Sequence, residues 1–377
     1  MKNNVSKKLV VVGMSGGVDS SVASLLLKKR GYKVIGVFIR SWSDSTICPW
    51  EKDSEDARRV AEKLDIPFYV WDFEKEYKRE VVDYMINTYK KGLTPNPDVL
   101  CNSQIKFGLF LEKALEIGAD FVATGHYVRK IEDKKRGIFR LIQAKDLNKD
   151  QSYFLWRLNQ KQISRALFPI GDYLKSEVRE MAKKAGLPVF NKKDSQGICF
   201  LGKVPVFDFL KKYIKEKEGD VLDPEGKKIG THRGVWFYTI GQRHIGVPAG
   251  NLFKGKKEHE PLYVFKKDVK KNILFVAPGE NNPLLYKSKV KIKDFNFLNK
   301  ELIKNYIKNN KIEMPVFVRV RYRQPLFTAK ISGKLNSKKL DLIFNESQKF
   351  VAEGQSAVFY LPYKNNFFEL IGGGVIE

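Results

Sequence analysis

The sequence predicts an α/β protein: a doubly wound parallel sheet, then a small β-containing central domain, then a C-terminal β-barrel. Three observations carry this. Apolar runs of strand length alternate with helical stretches as far as about residue 127, the pattern of a parallel sheet covered on both faces. Residues 204–280 break into Gly- and Pro-rich turns (GDVLDPEGKKIG, TIGQRHIGVPAG). Residues 285–377 hold short alternating stretches such as VFVRVRYRQ, LDLIF and SAVFY, and many short strands between turns suit a small barrel. The 377 residues accordingly divide as 1–203, 204–283 and 284–377, in keeping with about 100–200 residues per domain.

Taken in order, KKLVVVGM (7–14) is the first strand, and SGGVDSS opens a helix that reaches Arg30 and is closed by Gly31. YKVIGVFI (32–39) is the second strand, 54–65 a helix with Ser54 as its cap, and PFYVWDF (67–73) the third strand. Helices over roughly 75–91 and 103–117 precede the strand DFVATGHY (120–127). YVRKIEDKKRGIFRLIQA reads as a hairpin, and a helix over about 175–185 stops at Gly186.

Composition bounds the function classes. Hydrophobic residues make up 43% and charged residues 30%, which excludes wholesale disorder, and no apolar tract of about 18 residues suggests a membrane span or partner. Three cysteines are no disulfide framework, and the N-terminus enters a strand too early for a signal peptide, so a reducing cytoplasm is expected. The formal net charge is +26. Such an excess attracts nucleic-acid phosphates, but it reads equally as lysine spread by coding bias over every solvated face, because the cations are scattered.

The loop Gly13-Met14-Ser15-Gly16-Gly17-Val18-Asp19-Ser20 joins strand to helix. Its glycines can aim successive N–H groups into one concavity at the positive end of the helix, where a phosphate belongs. No Walker lysine follows, so positive charge must come from Mg²⁺, with Asp19 holding the metal or its waters, or from elsewhere in the chain. With its flanking elements, SGGVDS resembles the PP-loop ATP pyrophosphatases of the adenine nucleotide alpha hydrolase-like fold. That resemblance implies cleavage of ATP between the α and β phosphates and adenylation of an oxygen. The string Lys175-Ser176-Glu177-Val178-Arg179 is similar to a second signature of that group.

Cys101 lies in GLTPNPDVLCNSQIKF, where Asp98 is expected to cap the following helix and Cys101 to fall in its first turn, a position that favours a thiolate. Cys199, in DSQGICFLG, reads equally as a reactive thiol or a small buried hydrophobe. The strings TPNPDVLCNSQIKF, ATGHYVR, KDQSYFL, DSQGICFLG, YTIGQRHIG, VRVRYRQPLFTAKI and AEGQSAVFY, in this order, closely resemble the bacterial tRNA 2-thiouridylases. These enzymes thiolate C2 of the wobble uridine in the tRNAs for Lys, Glu and Gln.

The resemblance implies roles. ATP lies over Gly13 to Ser20, with the backbone near Ile39 and Gly125 facing the adenosine; the family usually carries Met where this chain has Ile39. Asn96, Pro97 and Asp98 hold a flipped uridine. Cys199 carries a persulfide and Cys101 frees its terminal sulfur, by direct attack of the persulfide on C2 or by prior release of sulfide, and either route ends in a Cys101–Cys199 disulfide. Sulfur comes from a donor such as a cysteine desulfurase, directly or through relay proteins. Cys48 matches no role. An iron–sulfur cluster on Cys101, Cys199 and Asp98 is the less favoured route, since no CxxC is present.

His126, Lys149, Asp150, Gln151, Arg321, Tyr322 and Gln355 match positions that meet the tRNA. Period two along FVRVRYRQ predicts Arg319, Arg321 and Arg323 on one strand face, with Tyr322 opposite. The competing readings are another PP-loop tRNA modifier, such as a lysidine synthetase or a thiolase for a different base, and a non-catalytic RNA-binding protein with a relic loop.

Overall fold

A computed structural model describes residues 8–42, 50–194, 204–246 and 260–377. Cys48 and Cys199 lie outside the described residues.

Five parallel strands form the first sheet in the order β3–β2–β1–β4–β7 (β1 Leu9–Gly13, β2 Lys33–Arg40, β3 Phe68–Asp72, β4 Phe121–Ala123, β7 Ala166–Leu167). The apolar run LVVV serves both faces because strand side chains alternate. Val11 joins one core with the helices spanning 74–116, while Val10 and Val12 join another with the helices Val18–Lys29, Trp50–Lys63 and Lys175–Lys184. The order reverses between β1 and β4, and the carboxyl ends of strands at such a reversal are where sheets of this kind take their ligands.

Several expected boundaries move. The helix expected at 54–65 begins at Trp50, and Ser54 is buried inside it rather than capping it; Glu51 and Asp53 occupy the first turn. The strand expected at 120–127 pairs only over Phe121–Ala123, leaving 124–127 as a loop beside the phosphate loop. The helix expected from 103 starts at Pro97, with Asn96 at the cap position and no side-chain cap bond. Asp98 is therefore the second helical residue, and Cys101 lies a full turn in. Proline at the first helical position, where its missing N–H costs nothing, explains the earlier start.

The hairpin is present as β5 (Val128–Asp133) and β6 (Ile138–Gln143), but it leaves the parallel sheet. β6 pairs with β18 (Phe368–Ile376) through Ile142↔Glu369 and Leu141↔Leu370. Four strands, β8 (Gly219–Leu222), β9 (Lys228–His232), β10 (Leu262–Asp268) and β11 (Ile273–Pro278), make the central sheet in the order β10–β11–β8–β9. In the C-terminal part β12 (Tyr286–Phe297), β14 (Lys311–Arg319), β15 (Phe327–Lys334), β16 (Lys339–Lys349), β17 (Ser356–Pro362) and β18 run β12–β16–β15–β14–β17–β18; β18 pairs again with β12, and the antiparallel barrel closes, with the short strand β13 (Ile307–Lys308) beside β14. Val290, Ile292, Met314, Val318, Ile331, Leu342 and Phe359 fill its interior.

The expected arginine ladder does not form. β14 ends at Arg319, and Arg321–Gln324 is a turn in which Arg323 has φ +64°. Arg319 instead points inward to Asp150 at 2.9 Å.

Candidate nucleotide and thiol site

The phosphate loop is shaped by its own serines. The Ser15 N–H donates to Ser20 Oγ (3.1 Å), and the Ser20 and Ser21 hydroxyls donate to the Gly17 carbonyl (3.3 and 2.7 Å). Gly16 has φ +69°, and a Cβ there would sit 2.2 Å from the Asp53 carbonyl oxygen, so no other residue fits this turn. Gly125 is just as tightly placed: a Cβ would meet the Ser20 nitrogen at 2.6 Å. The loop after β4 thus presses its backbone on the helix at whose N-terminus the sequence predicts a phosphate. Ile39 is half-buried near the end of β2 and packs against the core that holds Val11, Trp71 and Phe110, on the sheet face opposite Phe38.

Lysines from distant sequence pair with the carboxylates at and beside the loop. Lys175 Nζ donates to both oxygens of Asp19 (2.7 and 2.9 Å) and pairs with Asp194 (2.8 Å). Tyr127 Oη donates to Asp19 at 2.8 Å. Asp194 also takes Lys149 (2.7 Å) and Arg179 (2.6 Å). Burial acts to raise its pKa, but hydrogen bonds from Lys149 and Lys175 prevail and hold it at about 2. Lys192 bridges Asp53 and Asp56, each at 2.7 Å, and donates to the Gly16 carbonyl at 3.1 Å. Nothing in local spacing signals Lys192, Asp53, Asp56, Asp194 or Tyr127. Lys175 was singled out by its string, without its partner.

His126 is buried, its Nδ1 2.6 Å from Thr124 Oγ1 and its ring beside Phe107 (6.0 Å) and Phe168 (6.3 Å). Burial, assisted by the nearby Lys106 charge, lowers its pKa well below the usual value. Phe107 belongs to the helix that carries Cys101, so contact runs from the phosphate loop through Gly125 and His126 to that helix. Cys101 is 4% exposed. Asn102 Nδ2 donates to the Asp98 carbonyl (3.0 Å), while its buried Oδ1 has no hydrogen-bond partner among the described residues.

The stretch before this helix is held from all three parts of the chain. Gln355 Nε2 donates to the Thr94 and Pro95 carbonyls (3.3 and 2.9 Å), and the Thr94 N–H donates to the Glu353 carbonyl (2.9 Å). Thr94 Oγ1 lies 3.0 Å from Thr239 Oγ1. Half-buried Lys267 donates to the carbonyls of Gly92 and of Tyr238 (2.8 Å for the latter), and burial lowers its pKa to about 8. Asn96 lies beside the Tyr153 side chain, whose hydroxyl donates to the Ser356 carbonyl at 3.0 Å. Pro97, the first helical residue, is buried.

The remaining expected tRNA residues divide. Arg321 donates to the Ile240 carbonyl at 2.7 Å and lies over the Phe350 ring, joining barrel to central domain. Tyr322 packs on Phe154 at 4.5 Å. Gln151 Oε1 accepts from the Tyr127 N–H at 2.9 Å. The Asp150 carboxylate is fully buried and accepts from Arg319, Gln143, Ser152 and the Ala144 N–H. Its side chain braces hairpin against barrel and is not presented to a ligand.

Comparison with known proteins agrees along the chain. Family models described as tRNA methyl transferase HUP domain, tRNA methyl transferase PRC-barrel domain and Aminomethyltransferase beta-barrel domain match residues 8–203, 207–278 and 287–376. The tRNA-specific 2-thiouridylase MnmA of Karelsulcia muelleri is 46% identical, over 99% of this chain and 100% of its own length. Its counterpart in Lactobacillus helveticus is 43% identical over 99% and 96%, and that of Methylobacillus flagellatus 43% over 98% and 99%. Similarity of this extent spans phosphate loop, thiol helix and barrel alike, and the chain belongs to the tRNA-specific 2-thiouridylase family.

Proposed function

We propose that the protein is an ATP-dependent tRNA sulfurtransferase that converts the wobble uridine of the tRNAs for Lys, Glu and Gln to 2-thiouridine. The observation that carries this reading is the continuous contact from phosphate loop to thiol helix: Gly125 against Ser20, then His126 against Phe107. It puts a site for a nucleotide's phosphates and a buried cysteine on neighbouring elements, as a reaction joining ATP cleavage to sulfur transfer requires.

In the proposed sequence the uridine, flipped from its stack, lies against Asn96, Pro97 and Asp98, and its O2 attacks the α-phosphate of ATP. The O2–P bond forms and pyrophosphate leaves. Lys175, held by Asp19 and Asp194, and Lys192, held by Asp53 and Asp56, stand beside the loop and would turn from these carboxylates to offset the charge that develops. Mg²⁺ arriving with the nucleotide would be held by substrate phosphates, waters and one carboxylate; Asp19 would supply it on exchanging its contacts with Lys175 and Tyr127 for the metal. The terminal sulfur of a Cys199 persulfide then displaces AMP from C2, and the Cys101 thiolate breaks the S–S bond. In the alternative order Cys101 frees hydrosulfide first. Both routes leave a Cys101–Cys199 disulfide, which requires the two Cα atoms to come within about 6 Å and a dithiol to supply two electrons for the next cycle. A desulfurase, directly or through relay proteins, reloads Cys199.

The less favoured route, an iron–sulfur cluster on Cys101, Cys199 and Asp98, depends on Cys199, which lies outside the described residues. No described helix is long and apolar enough to cross a membrane; a tRNA substrate and a cycle that needs reduction suit the cytoplasm. The decisive test is tRNA from a depletion strain on a mercury-containing gel. Loss of the retarded Lys, Glu and Gln species is expected, and unchanged mobility sinks the proposal.

A further inference from the structure

The helix that carries Cys101 is irregular. Pro97–Leu100 and Phe110–Glu116 are α-helical, but Cys101–Leu109 between them winds in wide turns, with hydrogen bonds reaching five residues back. Such turns are rare, mostly single, and frequent at functional sites. This stretch of 9 residues begins at Cys101 itself.

A side chain from another element is bound to it. Gln162 Nε2 donates to the Ser103 carbonyl at 3.1 Å and the Phe107 carbonyl at 2.8 Å. Its Oε1 accepts from the Asn159 N–H at 3.0 Å, and the Gln162 N–H donates to Asn159 Oδ1 at 2.9 Å, closing a reciprocal cap on the helix Gln160–Arg165. Both amide hydrogens and the amide oxygen are thus engaged. Turning the amide over would set its oxygen against two carbonyls, so its orientation is fixed by its partners. Gly108 answers to the same carbonyl: a Cβ there would lie 3.1 Å from the Ser103 oxygen, which gives this mid-helix glycine a steric reason.

We propose that Gln162 is a positioning residue for Cys101, holding the wide turns that set the direction of its thiol. Phe107 and Phe110 are fully buried and anchor the downstream end. If the wide turns tightened to regular helix, everything upstream would rotate by about 100° per residue absorbed, the angle of 3.6 residues per turn. Cys101 and Asp98 would then face a different neighbour. This role rests on the function proposed above only for its catalytic readout.

The test uses the full-length protein. Gln162→Glu keeps an oxygen for the Asn159 N–H but loses both donors; Gln162→Met loses all three contacts. Asn159→Ala removes the cap and leaves the donors, so it matches a general loss of helix stability. Iodoacetamide alkylation of Cys101, followed by peptide mass spectrometry, reports the thiol directly. Both Gln162 variants are expected to change that rate about tenfold and to lower single-turnover thiolation by about 10- to 100-fold, the scale of a misplaced reacting group, with pyrophosphate release and the KM for ATP retained. Asn159→Ala should lower Tm and leave both chemistries as they are. Gln162 variants that behave like Asn159→Ala overturn the proposal. If neither variant folds, Gly108→Ala presses on the same carbonyl, and unaltered Cys101 alkylation there overturns it as well. Full thiolation by Cys101→Ser would instead remove the function reading, leaving the alkylation result to stand by itself.

Discussion

The phosphate loop and the stretch 92–101 sit on the same catalytic part of the chain but are held in opposite ways. The first is fixed by its own serines and by Lys175, Lys192 and Gly125, all within residues 8–194. The second is gripped by Lys267 and Thr239 of the central part and by Glu353 and Gln355 of the barrel. With the roles proposed above, nucleotide handling is local, whereas base and thiol handling depends on the whole chain. A substrate as large as tRNA can therefore act on the second region through surfaces that a nucleotide never touches.

Substitutions can separate the two. Cys101→Ser is expected to abolish thiolation while tRNA-dependent pyrophosphate release continues, measured in single turnover; loss of both would mean the regions are not separable. Asp19→Ala should slow pyrophosphate release by about 100-fold, in line with loss of one preorganised electrostatic group, and an unchanged rate would remove the phosphate loop from the chemistry. Lys267→Met should raise the KM for tRNA about tenfold, within what a hydrogen bond to a charged group supplies, without changing that for ATP; an equal rise in both would break the contrast.

A smaller effect concerns pH. His126 has a folded pKa well below its ordinary value because it is buried, so the unfolded chain binds the extra proton first. Its stabilising contribution is full above about pH 6.5 and is lost as pH falls, by at most about 1.4 kcal/mol per pH unit. Denaturant unfolding between pH 7.5 and 5.5 should show this slope, and His126→Gln should flatten it. Smallest of all, neutralising exposed Lys270 should barely alter tRNA affinity, whereas Arg321→Ala should weaken it; equal losses would mean that the scattered charge as a whole holds the RNA.

The alternation of strands and helices, the glycine loop and the barrel were legible because period and punctuation are local signals. Ser54 and Asp98 misled for one reason: a residue that caps well also sits comfortably inside a first or second turn, and only the chain before it decides. The arginine alternation 319-321-323 failed because the strand ends at Arg319, where a buried carboxylate from residue 150 outweighs period two. Lys192, Gln162 and Lys267 were invisible, since each acts on a backbone carbonyl far away in sequence.

The pairing of β6 with β18 has a consequence for synthesis. While the chain is being made, the hairpin emerges long before Glu369 and Leu370 exist, leaving an open strand edge and, nearby, Arg140, Asp150 and Trp156 without their partners Glu369, Arg319 and Ser356. An open edge is a template for wrong pairing until the barrel covers it. Slow translation between residues 143 and 369 would thus expose the chain to aggregation more than slow translation earlier.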